Sequence, residues 1–170
     1  MSGLQLDTSG RLRHLITLEG LGRERIGALL DRAVEMRAAF AESANGLQLL
    51  EGRTIVNLFF EASTRTRSSF ELAARRLGAN VLNFEVSSSS TSKGETLEDT
   101  IATLEAMQTD AFVVRHRENG TPERLANHSK RAAVLNAGDG KHAHPTQGLL
   151  DAHTIRDRHP DFGRLKVTLC

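Results

Sequence analysis

A chain of 170 residues, 39% hydrophobic and 25% charged, has the composition of one soluble globular domain, or one with a fragment of a second. A formal net charge of +1, and seven Phe with no Trp or Tyr, argue against nucleic acid and membrane surfaces as partners. The single cysteine, Cys170, excludes an internal disulfide and a cysteine-based zinc site. No apolar run approaches a membrane span, and residues 1–10 carry no leader pattern, so a cytoplasmic location is expected.

Residues 1 to about 20 show no periodicity and read as a loosely held arm. From Arg23 to Ala41, Ile26, Leu29, Leu30, Ala33 and Phe40 fall on one side of an amphipathic helix, with charges opposite. After Gly46 and Gly52, apolar runs alternate with helical patterns. The runs predict strands over 54–60, 80–86, 111–115 and 132–136, and the periodic stretches predict helices over 64–77, 96–108, 122–129 and 146–158. Gly78 can stop the first of these helices. Thr121-Pro122-Glu123 reads as a helix start with Thr as the cap. Strand–helix alternation predicts an α/β fold, a parallel sheet of about four strands with right-handed crossovers and helices on both faces. In such sheets ligands bind at the carboxyl ends of the strands.

The notable polar residues obey that rule. Ser63-Thr64-Arg65-Thr66-Arg67 follows the first strand at the opening of a helix. A helix start leaves backbone N–H groups unpaired and carries partial positive charge. Hydroxyls and guanidiniums added there suit a phosphate or carboxyphosphate. The plainer alternative is a Ser cap followed by two solvated arginines. Ser87 to Thr96 follow the second strand, and composition alone reads Ser87–Ser92 as a surface loop. Arg115 ends the third strand, where a solvated arginine is the competing account. Gly138 to Gln147 follow the fourth; within them Asp139 reads as a turn residue between two glycines. His142 and His144 have the spacing of a metal pair with no third ligand nearby. The His144–Pro145 pair equally suits a turn. Nucleotide signatures are missing: there is no Gly-rich loop ending in Lys-Ser/Thr, and no Gly-x-Gly-x-x-Gly after the first strand.

Four segments in order carry a resemblance: Phe59 to Arg67, Lys93-Gly94-Glu95-Thr96-Leu97-Glu98-Asp99-Thr100, Val114-Arg115-His116, and Asn136-Ala137-Gly138-Asp139-Gly140 running on to His144-Pro145-Thr146-Gln147. From about residue 10 onward the chain resembles the aspartate/ornithine carbamoyltransferase family. The Phe-Phe-Glu-Ala lead-in, Lys93 and the Ala137–Gly140 run before His144 favour catalytic chains of the aspartate type over ornithine carbamoyltransferase. Against a non-catalytic scaffold stand the intact site residues of the parent protein, and for something close to it in this 170-residue form stands the missing second domain.

The resemblance implies that Ser63, Thr64, Arg65 and Thr66 bind the phosphate of carbamoyl phosphate and that Arg115 bridges phosphate and carbonyl oxygen. It further implies Thr66 and His144 as oxyanion donors beside Arg115, and Gln147 at the carbamoyl nitrogen. Catalysis would then rest on Arg65, Thr66, Arg115 and His144. Ser89 and Lys93 would reach into a neighbouring subunit's site in a homotrimer, to which regulatory or dihydroorotase-like chains can be added. No cofactor and no metal are implied; aspartate is the second substrate. Arg67 is expected to support the fold or to pair with a carboxylate such as Glu95. Residues 1–158 would form the carbamoyl-phosphate-binding domain, and 159–170 the start of a second, aspartate-binding domain that is otherwise missing.

Overall fold

The computed structural model describes residues 2–43, 46–85 and 96–168. A short helix α1 (Ser2–Gln5) and the long α2 (Gly22–Glu42) precede β1 (Thr54–Phe59), α3 (Thr64–Arg76) and β2 (Asn80–Glu85). There follow α4 (Leu97–Ala106), β3 (Ala111–His116), α5 (Thr121–His128), β4 (Ala133–Asp139) and α6 (Pro145–Arg158), with a 3-10 turn at Phe162–Arg164. The strands form one parallel sheet in the order β2-β1-β3-β4, so the predicted α/β architecture is the observed one.

Successive strand residues point to opposite faces, and the sequence supplies apolar residues for both. Val56, Leu58, Phe112, Val114 and Val134 pack with Ile101 and Leu104 of α4 and Leu125 and Ala126 of α5. Phe59, Val113 and Ala137 face the other way, with Ile55, Leu135 and Phe70 of α3. Phe112 is fully buried, and truncating such a residue to Ala typically costs about 3–5 kcal/mol.

Chain direction across the sheet positions the site. From β1 the chain crosses through α3 to β2 on one side; it then passes through α4 to β3 and through α5 to β4 on the other. The reversal falls between β1 and β3, where Phe59 pairs with Arg115. A crevice opens outside the carboxyl ends of strands at such a switch point.

Helix boundaries follow local chemistry. Thr96 caps α4 in a full capping box with Asp99, and Gly78, at φ +86°, ends α3. Two expected details differ. The cap of α5 is Gly120, at φ +84°, and the Thr121 hydroxyl instead donates to Glu118 O at 3.1 Å. β4 runs past residue 136 to Asp139, which is 1% exposed, so Asp139 is a buried strand-end carboxylate and not an open turn residue. Its Oδ1 accepts from Gly120 N at 2.7 Å, and its Oδ2 stands 2.9 Å from His142 Nδ1.

The expected loose arm is also corrected. Leu15 bridges to Leu135, with Leu15 N donating to Val134 O at 2.9 Å and Asn136 N donating to Leu15 O at 2.8 Å. The segment thus covers the outer edge of β4. Gln5 and His14 are buried beneath it; Gln5 Oε1 accepts from Ile16 N and Thr17 N, and His14 Nδ1 accepts from Val134 N at 3.0 Å. Burial, with Arg13 adding to it, pushes His14 down to about 4.

Candidate functional site

At the β1–β3 switch point lies an open cleft of about 830 Å³. Ser63, Thr64, Arg65, Thr66, Arg115, His144 and Gln147 all line it, together with Phe70, Thr146 and Leu150. The cleft therefore gathers these seven sequence-predicted residues from three places in the chain. Ser89 and Lys93 lie outside the described residues, as does Glu95, the carboxylate expected opposite Arg67.

The start of α3 offers the features that suit an anion. Ser63 occupies the cap position with φ −151° and ψ 77°, but its hydroxyl makes no capping bond. The simple Ser-cap account of this residue is therefore not realised, and Oγ stays available to a ligand. The first-turn amides have no partner within the helix, by the geometry of any helix start. The chain reverses into α3 with Arg67 N donating to Ser63 O at 3.0 Å, which presents Thr64, Arg65 and Thr66 around one turn.

Arg115 comes from the end of β3 and its side chain is 23% exposed. Nη1 donates to Ala137 O at 3.0 Å, while Nε stands 2.6 Å from Glu61 Oε1, an ion-pair distance without hydrogen-bond alignment. Gly138 makes room for it: at φ +139°, a Cβ there would lie 2.5 Å from Arg115 Nη1. Asn136, fully buried, holds this stretch by accepting from Gly138 N at 2.8 Å and donating to Ile16 O at 2.8 Å.

His144 and Gln147 open α6. Burial lowers the His144 pKa below its ordinary value, the Arg115 charge adds to that, and Asp151 opposes it. His144 is thus neutral near pH 7. The Thr146 hydroxyl lies 3.3 Å from Nδ1; a bond donated there puts the ring proton on Nε2. Gln147 Nε2 donates to Asp151 Oδ1 at 2.9 Å.

The arrangement brings fixed cations, hydroxyls and helix amides to one end of the cleft, and a neutral imidazole and a side-chain amide to the other. This suits a small anion bearing a polar carbonyl group. Sequence reasoning did not single out Glu61, Gly138, Thr146 or Asp151 as site residues. Glu61 was findable: it sits two residues beyond Phe59, the strand partner of Arg115. Asp151 carried only the i,i+4 spacing from Gln147.

Comparison with known proteins agrees with this geometry. The family model described as aspartate/ornithine carbamoyltransferase, carbamoyl-P binding domain, matches residues 13–157. The aspartate carbamoyltransferase catalytic subunit of Stenotrophomonas maltophilia (strain R551-3) is 56% identical over 99% of this chain and 54% of its own length. That of Xanthomonas campestris pv. campestris (strain B100) is 56% identical with the same coverage. Among solved structures, the catalytic subunit of M. jannaschii aspartate transcarbamoylase superimposes with a TM-score of 0.80 at 40% identity, over 86% of this chain and 47% of that one. The Trypanosoma cruzi aspartate transcarbamoylase in complex with carbamoyl phosphate and aspartate gives 0.79 at 41% identity, over 88% and 46%. The chain spans about half the length of the curated relatives it matches. By sequence and by fold, the chain belongs to the aspartate/ornithine carbamoyltransferase family.

Proposed function

We propose that this chain is the carbamoyl-phosphate half of an aspartate carbamoyltransferase. The enzyme transfers the carbamoyl group from carbamoyl phosphate to the α-amino group of L-aspartate, giving N-carbamoyl-L-aspartate and phosphate, an early step of pyrimidine biosynthesis. The observation that carries this reading is the meeting of Ser63, Thr64, Arg65, Thr66, Arg115, His144 and Gln147 in one cleft at the switch point. The names of the similar proteins favour aspartate over ornithine as the acceptor.

In this reading the dianionic phosphate sits at the start of α3, on the helix amides, the Ser63, Thr64 and Thr66 hydroxyls and Arg65. Arg115 leaves Glu61 to bridge the phosphate and the carbonyl oxygen. His144 Nε2–H and the Thr66 hydroxyl join it on that oxygen, and Gln147 takes the NH2 group. The aspartate amine attacks the carbonyl carbon, negative charge gathers on the oxygen against these donors, and the C–O bond to phosphate breaks. The departing phosphate accepts the amine proton, so no protein base is needed. Orientation and charge stabilisation supply the rate, and loss of one such donor costs about 3 kcal/mol of barrier.

Residues 1–158 act as the binding domain and 159–170 open the aspartate-binding one; α6 ends at Arg158, and residues 159–164 are exposed. The working enzyme is cytoplasmic and a homotrimer in which Ser89 and Lys93 complete a neighbour's site, with room for regulatory or dihydroorotase-like chains. Among the described residues, no helix is long and apolar enough to cross a membrane. Calorimetric titration of the 170-residue chain with carbamoyl phosphate tests the reading. Binding is expected, with about 100-fold loss in Arg65→Ala at unchanged melting temperature. Undiminished binding by the folded variant would remove Arg65 from the site. Carbamoyl-aspartate formation by the chain alone is expected to be negligible, because the acceptor is not held.

A further inference from the structure

The Gln147 amide can present either of two faces to a ligand, and its neighbour one helical turn on decides which. Gln147 Nε2 donates to Asp151 Oδ1 at 2.9 Å. An ionised carboxylate accepts and does not donate, so the opposite orientation would press two acceptors together. This exposed pair therefore places the NH2 end of the amide on Asp151 and leaves Oε1 as its free end at the cleft lining, with no hydrogen bond to that oxygen among the described residues. We infer that Asp151 is a specificity-determining positioning residue. By fixing Gln147 as an acceptor, it makes the cleft select an acyl phosphate carrying an NH2 group over one carrying a methyl group. Asp151 itself touches no reacting atom. The inference rests on the carbamoyl-phosphate reading of the cleft.

The alternative is an ordinary i,i+4 surface pair that only steadies α6. Paired ligands separate the two. Acetyl phosphate has the same phosphate and carbonyl as carbamoyl phosphate, with a methyl group where the NH2 stands. The dissociation constants of both are measured by calorimetry on the 170-residue chain, and the readout is their ratio.

The wild-type chain is expected to favour carbamoyl phosphate about tenfold, the worth of one hydrogen bond to a fixed acceptor. Asp151→Ala frees the amide to populate both orientations and should halve that ratio. Asp151→Lys offers an ammonium that captures Oε1 and turns the NH2 end toward the ligand, bringing the ratio near one. The double variant Gln147→Glu with Asp151→Lys restores an acceptor, because one carboxylate oxygen meets the lysine and the other faces the ligand. Its ratio should return to about tenfold, whatever the added charges do to both affinities together.

A wild-type ratio retained in folded Asp151→Lys and Asp151→Ala, or a double variant that fails to regain it, would overturn the inference while leaving carbamoyl-phosphate binding standing. A wild-type chain that binds neither ligand, or both equally, would overturn the functional reading and the inference with it. Melting temperatures report that each variant is folded.

Discussion

Gly138→Ala separates support of Arg115 from mere backbone strain. At φ +139° the alanine is strained by about 1–3 kcal/mol, and its Cβ would lie 2.5 Å from Arg115 Nη1, 3.0 Å from Cζ and 3.3 Å from Cγ. The guanidinium must swing away, giving up the 3.0 Å bond to Ala137 O and its place at the cleft. Losing one charge-assisted donor to a dianion is worth about 1.5–3 kcal/mol, which is roughly 10- to 100-fold in affinity. Gly120→Ala is the control: φ is +84°, yet nothing lies within 4 Å of the added Cβ. Both variants should lose stability in urea unfolding, Gly138→Ala the more because it also gives up the Arg115–Ala137 bond, and only Gly138→Ala should lose carbamoyl-phosphate affinity. Equal affinities in the two variants would refute the packing argument for Arg115.

Three further outcomes can be checked. His14 sits at about 4 when folded against an ordinary 6.5, so the unfolded chain binds the extra proton. Its contribution, on the order of 3 kcal/mol, is present above pH 6.5 and lost as pH falls toward 4. His14→Asn keeps an acceptor without the titration, and urea unfolding from pH 7 to 4.5 should show a flatter profile for it than for wild type. Glu105 meets a burial cost that alone would raise its pKa. Bonds from the amides of Ala132, Arg131 and Lys130 and from the Ser129 hydroxyl outweigh that cost and hold it down to about 2. Glu105→Gln should therefore cost about 2 kcal/mol at pH 7 with binding intact, measured by denaturation and calorimetry. Glu61→Gln, which releases the competing carboxylate from Arg115, should tighten phosphate binding several-fold; unchanged or weaker binding would mean the pair does not compete with ligand.

Much of the fold was legible because its signals are local. Phe112 and Val114 sit in a continuous apolar run, and Val56 and Leu58 in one broken only by Asn57, the mark of strands buried on both faces, while Gly78 and Thr96 bound helices by their own chemistry. That polar segments after three strands would meet at one sheet edge was legible because they follow strand ends, where helix starts concentrate; the choice of individual residues came from the resemblance. The rest depended on distant partners. Nothing near Gln5, His14 or Leu15 shows that β4 lies beside them; their bonds reach Ile16, Val134 and Leu135 only once the sheet exists. Asp139 looked like a turn residue because glycines flank it, yet those glycines let the strand end pass close to Arg115 and Asn119. Ser63 fits the statistics of capping residues, while its hydroxyl makes no capping bond, and no local rule distinguishes the two cases.

A crystal structure of this chain with carbamoyl phosphate decides whether the cleft is the substrate site. The phosphate should lie at the start of α3, within hydrogen-bond distance of the amides and hydroxyls of Ser63, Thr64 and Thr66. Arg115 should be turned from Glu61 onto the ligand, and the NH2 group should face Gln147 Oε1. A well-ordered ligand lodged elsewhere, or one in the cleft with its phosphate away from α3, would contradict it.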